Sequence, residues 1–224
     1  MCGRYTITVS MEELMRIYNT PDMTIVNYAP KYNAAPTQYI PAVIGSGPGN
    51  RIGQLRWGLV PSWAKDDKSG GKMINIRAET LTSKPSFRRL LSSRRCVIPA
   101  DGFYEWQNLG SAKQPMRILM RDGSVFSMAG IYDIWVDTEG KKLATCSIIT
   151  TEPNELTAEI HNRMPVILRP EAVDPWLDRS NQDADRLAKL LKPYDPGEMR
   201  AYPVSAKVGN VRNDSRDLID EVQP

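Results

Sequence analysis

Apolar and polar positions alternate over short stretches of this chain, and the period changes several times. RYTITVS (4–10) alternates as a strand does, and SMEELMRIYN follows with helical spacing. Ser10 with Glu13 three residues on forms a capping box, which places the helix start at Met11. NYAPKYNAAPTQYIP is rich in Pro and Tyr and reads as an irregular loop. YIPAVIG and QLRWGLVPSW read as strands, with GSGPGN as the hairpin turn between them. That turn is no phosphate loop, because no Lys-Ser/Thr follows and no helix opens there.

AKDDKSGGK is a polar loop. INIRAETLTS then passes into a short helix, and SFRRLLSS gives a helical turn with basic residues outward. CVIPADGFYEW, PMRILM, SVFSMAGIYDIWV and LATCSIITT predict four further strands. EPNELTAEI reads as a helix with Pro153 near its start, and it ends near His161. PVILRP returns to a strand, PEAVDPWL and QDADRLAKLL are late helices, and MRAYPVS is a closing strand. Many non-local strands with peripheral helices predict an α+β fold, a curved antiparallel sheet or barrel. No repeat or dividing linker is visible, so one domain is expected over 1–224.

Composition adds bounds to this pattern. The 224 residues are 41% hydrophobic and 25% charged, enough for one packed core without staples. The longest apolar runs are too short to span a bilayer, and the start lacks an apolar leader. A cytoplasmic location with no membrane partner is therefore expected. Cys2, Cys96 and Cys146 are odd in number and far apart, which argues against a disulfide framework. Cys96 and Cys146 read as small buried hydrophobes. With no C-x-x-C pair and a single histidine, neither a metal nor an organic cofactor is expected.

Charge is unevenly placed. Residues 51–95 hold eleven Lys/Arg against three acids, a net +8, while the rest of the chain carries −5. Such an excess fits either a solvated surface or a polyanion partner such as nucleic acid. Trp57, Trp63 and Trp106 lie near turns or basic segments, where they read as core residues or as stacking faces for single strands.

The chemistry candidates start with Cys2, directly behind the initiator Met1. Removal of Met1 would leave a thiol and an α-amine on adjacent carbons, titrating near pH ~8.5 and ~8. An aldehyde can form a Schiff base with that amine, and the thiol then closes a five-membered thiazolidine at high effective molarity. Gly3 lets the backbone approach a ligand closely. His161 is either structural or a proton donor favoured by the preceding helix end. Glu105, among aromatics in DGFYEWQN, is either a surface carboxylate or a proton shuttle with a raised pKa. Asn75 reads as a turn residue or as an orienting amide.

Taken together, MCGRY, YNAAP, RWGLVPSWA, NIRAET, RRCVIPADGFYEW, IITTEPNELTAEIHNRMPVIL and VGNVRN resemble the SRAP family, the SOS-response-associated peptidases, over about residues 2–212. The resemblance implies a sensor of abasic sites in single-stranded DNA. An exposed Cys2 would capture the ring-opened sugar as a thiazolidine crosslink and shield the lesion in the DNA damage response. Asn75, Glu105 and His161 match the other active-site positions: Glu105 for proton transfer, His161 for sugar ring opening, Asn75 to position Cys2 and the sugar. Gly3, Arg4, Arg77 and Trp106 fall where flanking DNA is held. A lyase-like activity with autopeptidase removal of Met1, a nucleoid-associated monomer and contacts with replication-fork proteins are further expectations. Ile76 departs from the Ala common in relatives, which implies a packing change only. The rival readings are a cysteine peptidase, a class II N-terminal-cysteine amidotransferase, whose glutamine-binding segments have no counterpart here, and a non-catalytic module for single-stranded DNA in which Cys2 is incidental.

Overall fold

A computed structural model of the chain describes residues 2–223 other than 22–24, 26 and 48; Pro48, within the expected GSGPGN turn, therefore lies outside them. In chain order the elements are β1 (Tyr5–Ile7), α1 (Met11–Ile17), β2 (Lys31–Ala34), β3 (Tyr39–Gly45), β4 (Asn50–Trp57), β5 (Asn75–Arg77), α2 (Ala78–Ser83) and α3 (Pro85–Ser93). Then come β6 (Arg95–Ala100), β7 (Gly102–Asn108), β8 (Lys113–Met120), β9 (Phe126–Val136), β10 (Lys142–Thr151) and α4 (Glu155–Ala158). β11 (Met164–Pro165), β12 (Ile167–Leu168), α5 (Pro170–Leu177), α6 (Ala184–Ala188) and β13 (Met199–Pro203) complete the fold, followed by short 3-10 turns.

The α+β expectation holds, and the curved sheet is a closed one. β10, β4, β3, β6 and β9 pair in a ring, because β9 also pairs with β10. The ring is antiparallel except where β10 meets β4, at Thr145↔Arg56 and Cys146↔Trp57. β5 runs parallel to β10 just beyond, at Ile148↔Asn75 to Thr150↔Arg77. Long strands such as FSMAGIYDIWV are apolar on both faces because they are walled on both sides. Gly130 is where β9 is squeezed hardest: a Cβ there would lie 2.4 Å from Ile98 Cδ1 and 3.0 Å from Cys96 Sγ. Only Gly lets β6 and its neighbours close at this point.

The second sheet is antiparallel, in the order β13-β8-β7-β1-β2. One face shares the main core, where Tyr5 meets Trp57 edge-on at 5.5 Å between ring centroids. The other face carries a small cluster of Tyr104, Val204, Val208 and Leu218 under the C-terminal turns. Cys96, Cys146 and Trp57 are core residues, whereas Trp63 is exposed and Trp106 half-buried.

Local structure follows the sequence at α1, where the Ser10 hydroxyl accepts from Glu13 N–H at 3.2 Å. Two expectations change. The stretch KYNA, read as loop, is β2, paired with β1 and held by Asp214, which accepts from Tyr32 and Asn33 N–H at 2.7 and 2.9 Å. CVIPADGFYEW, read as one strand, is two, each in a different sheet. The break is Asp101, whose carboxylate accepts from Thr6, from the Thr8 hydroxyl and N–H at 2.6 Å, and from Arg117 at 3.3 Å. A buried carboxylate so fully bonded fixes the corner between the sheets.

Candidate active site

Cys2 lies three residues ahead of β1 and is completely buried against the main core. The exposed cysteine implied by the family resemblance is therefore an enclosed one. Asn75, the first residue of β5, is positioned from behind by its neighbour. The Ile74 carbonyl accepts from Trp57 Nε1–H at 2.9 Å and from Ile148 N–H at 3.0 Å. From that fixed position Asn75 Nδ2–H donates to the Cys2 carbonyl at 2.8 Å. Its Oδ1 is buried and accepts nothing from the described residues.

Glu105, on β7 opposite Met116, is buried. Burial pushes its carboxyl above the usual range, and nearby positive charge, His161 included, offsets this only in part. The Cys2 thiol is pushed well up, first by burial and then by the charge of Glu105. Glu105 thus lies within electrostatic reach of both Cys2 and His161, and Asn75 bonds Cys2 directly.

His161 follows α4, whose Asn154 cap accepts from Thr157 N–H at 2.9 Å. The His161 N–H donates to the Thr157 carbonyl at 2.8 Å, and its Nδ1 accepts the Arg163 N–H at 3.0 Å. The same Nδ1 also lies 3.2 Å from the Arg163 carbonyl, so the backbone of Arg163 holds the ring edge through both its N–H and its oxygen. Arg163 is itself locked: its guanidinium grips the Glu79 carboxylate at 2.8 and 3.0 Å and donates to the Thr150 carbonyl at 2.7 Å. Glu79 is held below its usual range by these bonds.

The flanking residues divide into two groups. Gly3 and Arg4 are half-buried, and the Trp106 ring lies 6.0 Å from the Arg4 guanidinium carbon. Arg77 is exposed at the far end of β5. Sequence reasoning gave no role to Arg163, Glu79 or Thr150. Thr150 is buried with an unbonded hydroxyl, one register position from Ile76 along the β5–β10 pairing. The only signal for Arg163 was its place two residues after His161. Among the described residues no group of three or more His, Cys, Asp or Glu side chains gathers as a metal site would require, and no helix is long and apolar enough to cross a membrane.

A ring of strands with a side sheet, presenting a cysteine, an amide, a buried carboxyl and an imidazole at the front end of the chain, defines a cysteine-headed α+β domain. Residues 1–211 match the family described as SOS response associated peptidase (SRAP), and the chain belongs to that family. It is 50% identical over 222 residues to the abasic site processing protein YoqW of Bacillus subtilis, covering 98% of this chain and 99% of the relative. The abasic site processing protein HMCES of Gallus gallus is 33% identical over 265 residues, covering 100% of this chain and 78% of the relative. A crystal structure of a protein from Bacteroides thetaiotaomicron superposes with a TM-score of 0.89 at 31% identity, over 99% of this chain and 100% of that one.

Proposed function

We propose that the protein processes abasic sites in single-stranded DNA, capturing the lesion aldehyde through Cys2 once Met1 has been removed. The observation that carries this reading is the clamp on Cys2, its carbonyl held by Asn75 at 2.8 Å, with the buried Glu105 near enough for its charge to act on the thiol. The relatives' names supply the substrate class.

The chemistry follows from the groups present. His161 gives a proton to the ring oxygen of the closed sugar as that oxygen leaves the anomeric carbon, the anomeric hydroxyl releases its proton to water, and the aldehyde is freed. The Cys2 amine adds to the aldehyde carbon to give a carbinolamine. Glu105, its carboxyl biased toward the protonated form by burial, delivers a proton to the departing hydroxyl, and water leaves an imine. The Cys2 sulfur then bonds to the imine carbon, and the thiol proton ends on the ring nitrogen.

Arg4, Arg77 and the basic 51–95 segment supply phosphate contacts, so binding should weaken with salt and depend little on sequence. Single strands are favoured because a duplex would first have to be opened.

Intact-protein mass spectrometry before and after incubation with an abasic oligonucleotide tests the reading. Loss of the Met1 mass, followed by a heat-stable adduct short by one water, is expected. Cys2→Ser should form no stable adduct yet bind undamaged single strands as before. A heat-stable adduct on the Ser variant would overturn the scheme.

A further inference from the structure

Arg4 does not stand free toward solvent. Its Nη1 donates to the Val208 carbonyl at 2.7 Å and to Asn33 Oδ1 at 3.1 Å, and its Nη2 donates to the Gly209 carbonyl at 3.1 Å. A guanidinium has five N–H donors in a rigid fork. Three are used inside the molecule, which leaves the Nε–H and one Nη2–H.

The residue that arranges this is Asn33, completely buried on β2. Its Nδ2 donates to the Asn213 carbonyl at 2.8 Å and shares its other N–H between the carbonyls of Val208 and Asn210, both at 3.2 Å. Three carbonyl oxygens of one loop thus converge on a single amide. Without that donor they would repel one another and lie partly desolvated. On the other side Asp214 accepts the backbone N–H groups of Tyr32 and Asn33 and pairs with Lys31 at 3.1 Å. Segment 208–214 is therefore laced to β2 from both ends, and it presents its Val208 and Gly209 carbonyls to Arg4.

We propose that Asn33, supported by Asp214, is a positioning residue for the DNA grip: it shapes the 208–213 loop into a carbonyl cradle that fixes Arg4 with two N–H groups left for a phosphate. This deepens the function proposed above and rests on that reading. Asn33 touches no DNA; it acts through the loop and through Arg4. The preorganised fork binds phosphate without first ordering a long side chain.

The test compares the wild type, Asn33→Ala, Asp214→Ala, Arg4→Ala and the Asn33→Ala/Arg4→Ala double variant. Two readouts are needed: affinity for an undamaged single-stranded oligonucleotide across a salt series, and adduct formation at saturating abasic oligonucleotide. Loss of one ordered phosphate contact should weaken binding about tenfold. It should also lower the slope of log affinity against log salt by about 1. Both single variants at the loop should match Arg4→Ala, and the double variant should be no weaker than Arg4→Ala alone. Adduct formation is followed on the wild type alone, as the separate check on the capture chemistry. A purely structural Asn33 would lower the melting temperature and leave the salt slope where it was. Wild-type affinity and slope in Asn33→Ala, or a double variant weaker than Arg4→Ala, overturns the inference. If Asn33→Ala does not fold, Asp214→Ala decides by the same slope. Failure of the wild type to form any adduct would sink the capture chemistry alone, because the comparison on undamaged DNA is independent of it.

Discussion

Asn75→Ala removes a side-chain bond that holds the front of the chain against β5, the 2.8 Å contact to the Cys2 carbonyl. A neutral hydrogen bond contributes about 1 kcal/mol net, and leaving a buried carbonyl unpaired costs about 1–3 kcal/mol. The loss stays local, because Tyr104 N–H still bonds the Arg4 carbonyl at 3.0 Å two residues on, and Trp57 and Ile148 still hold Ile74. A loss of roughly 1–3 kcal/mol lowers the population of correctly placed Cys2 by about 5- to 150-fold. Single-turnover adduct formation at saturating abasic oligonucleotide, quenched and resolved on denaturing gels, should slow by that factor. Urea unfolding should shift by no more than the same energy. Asn75→Asp sharpens the test: it keeps the volume, removes the donor and adds a negative charge near Glu105, so it should be slower than Asn75→Ala. Wild-type rates in the Ala variant, or an Asp variant as fast as wild type, would refute the clamp.

Glu105→Gln should slow capture about 10²–10⁴-fold by removing the proton shuttle. Stability should move the other way. With the folded pKa raised, the folded state keeps a proton that the unfolded chain releases, so wild-type stability falls as pH climbs from about 4.3 through the folded value. The Gln variant should be flat across that window and no less stable than wild type at neutral pH in urea titrations; a clear destabilisation there would contradict the assignment. Arg95→Met strips donors from the carbonyls of Leu91, Ser92, Trp176, Asp178 and Asn181, two of these contacts fully buried, and should cost about 2–6 kcal/mol by urea unfolding. Gly45→Ala would set a Cβ 2.0 Å from the Leu177 carbonyl oxygen, so α5 must shift, with about 1–3 kcal/mol lost in the same assay.

What the sequence disclosed was mostly local or chemically singular. Ser10 and Glu13 sit on one turn, so their cap is legible from spacing alone. Cys2 is conspicuous by position, and His161 because it is the only histidine. β2 was illegible because its residues are polar and flanked by Pro30 and Pro36. It is a strand only because β1 and a carboxylate 181 residues away from Asn33 complete its hydrogen bonds. The break at Asp101 was hidden for a related reason, since its partners Thr6 and Arg117 come from other strands and Thr8 from the segment just after β1. The grip of Arg163 on Glu79 spans 84 residues, and neither side chain announces the other. The parallel contact of β10 with β4 left no mark in an apolar run that would suit either direction.

β10 belongs to two structures at once. Thr145 and Cys146 shut the ring, and two residues later Ile148 begins the pairing that carries Asn75. The anvil on which Cys2 rests is thus continuous with the strand that closes the ring. A substitution beneath the amide is felt by both structures, first as a change in folding, so variation that spares the scaffold has to come from the loops at its edges.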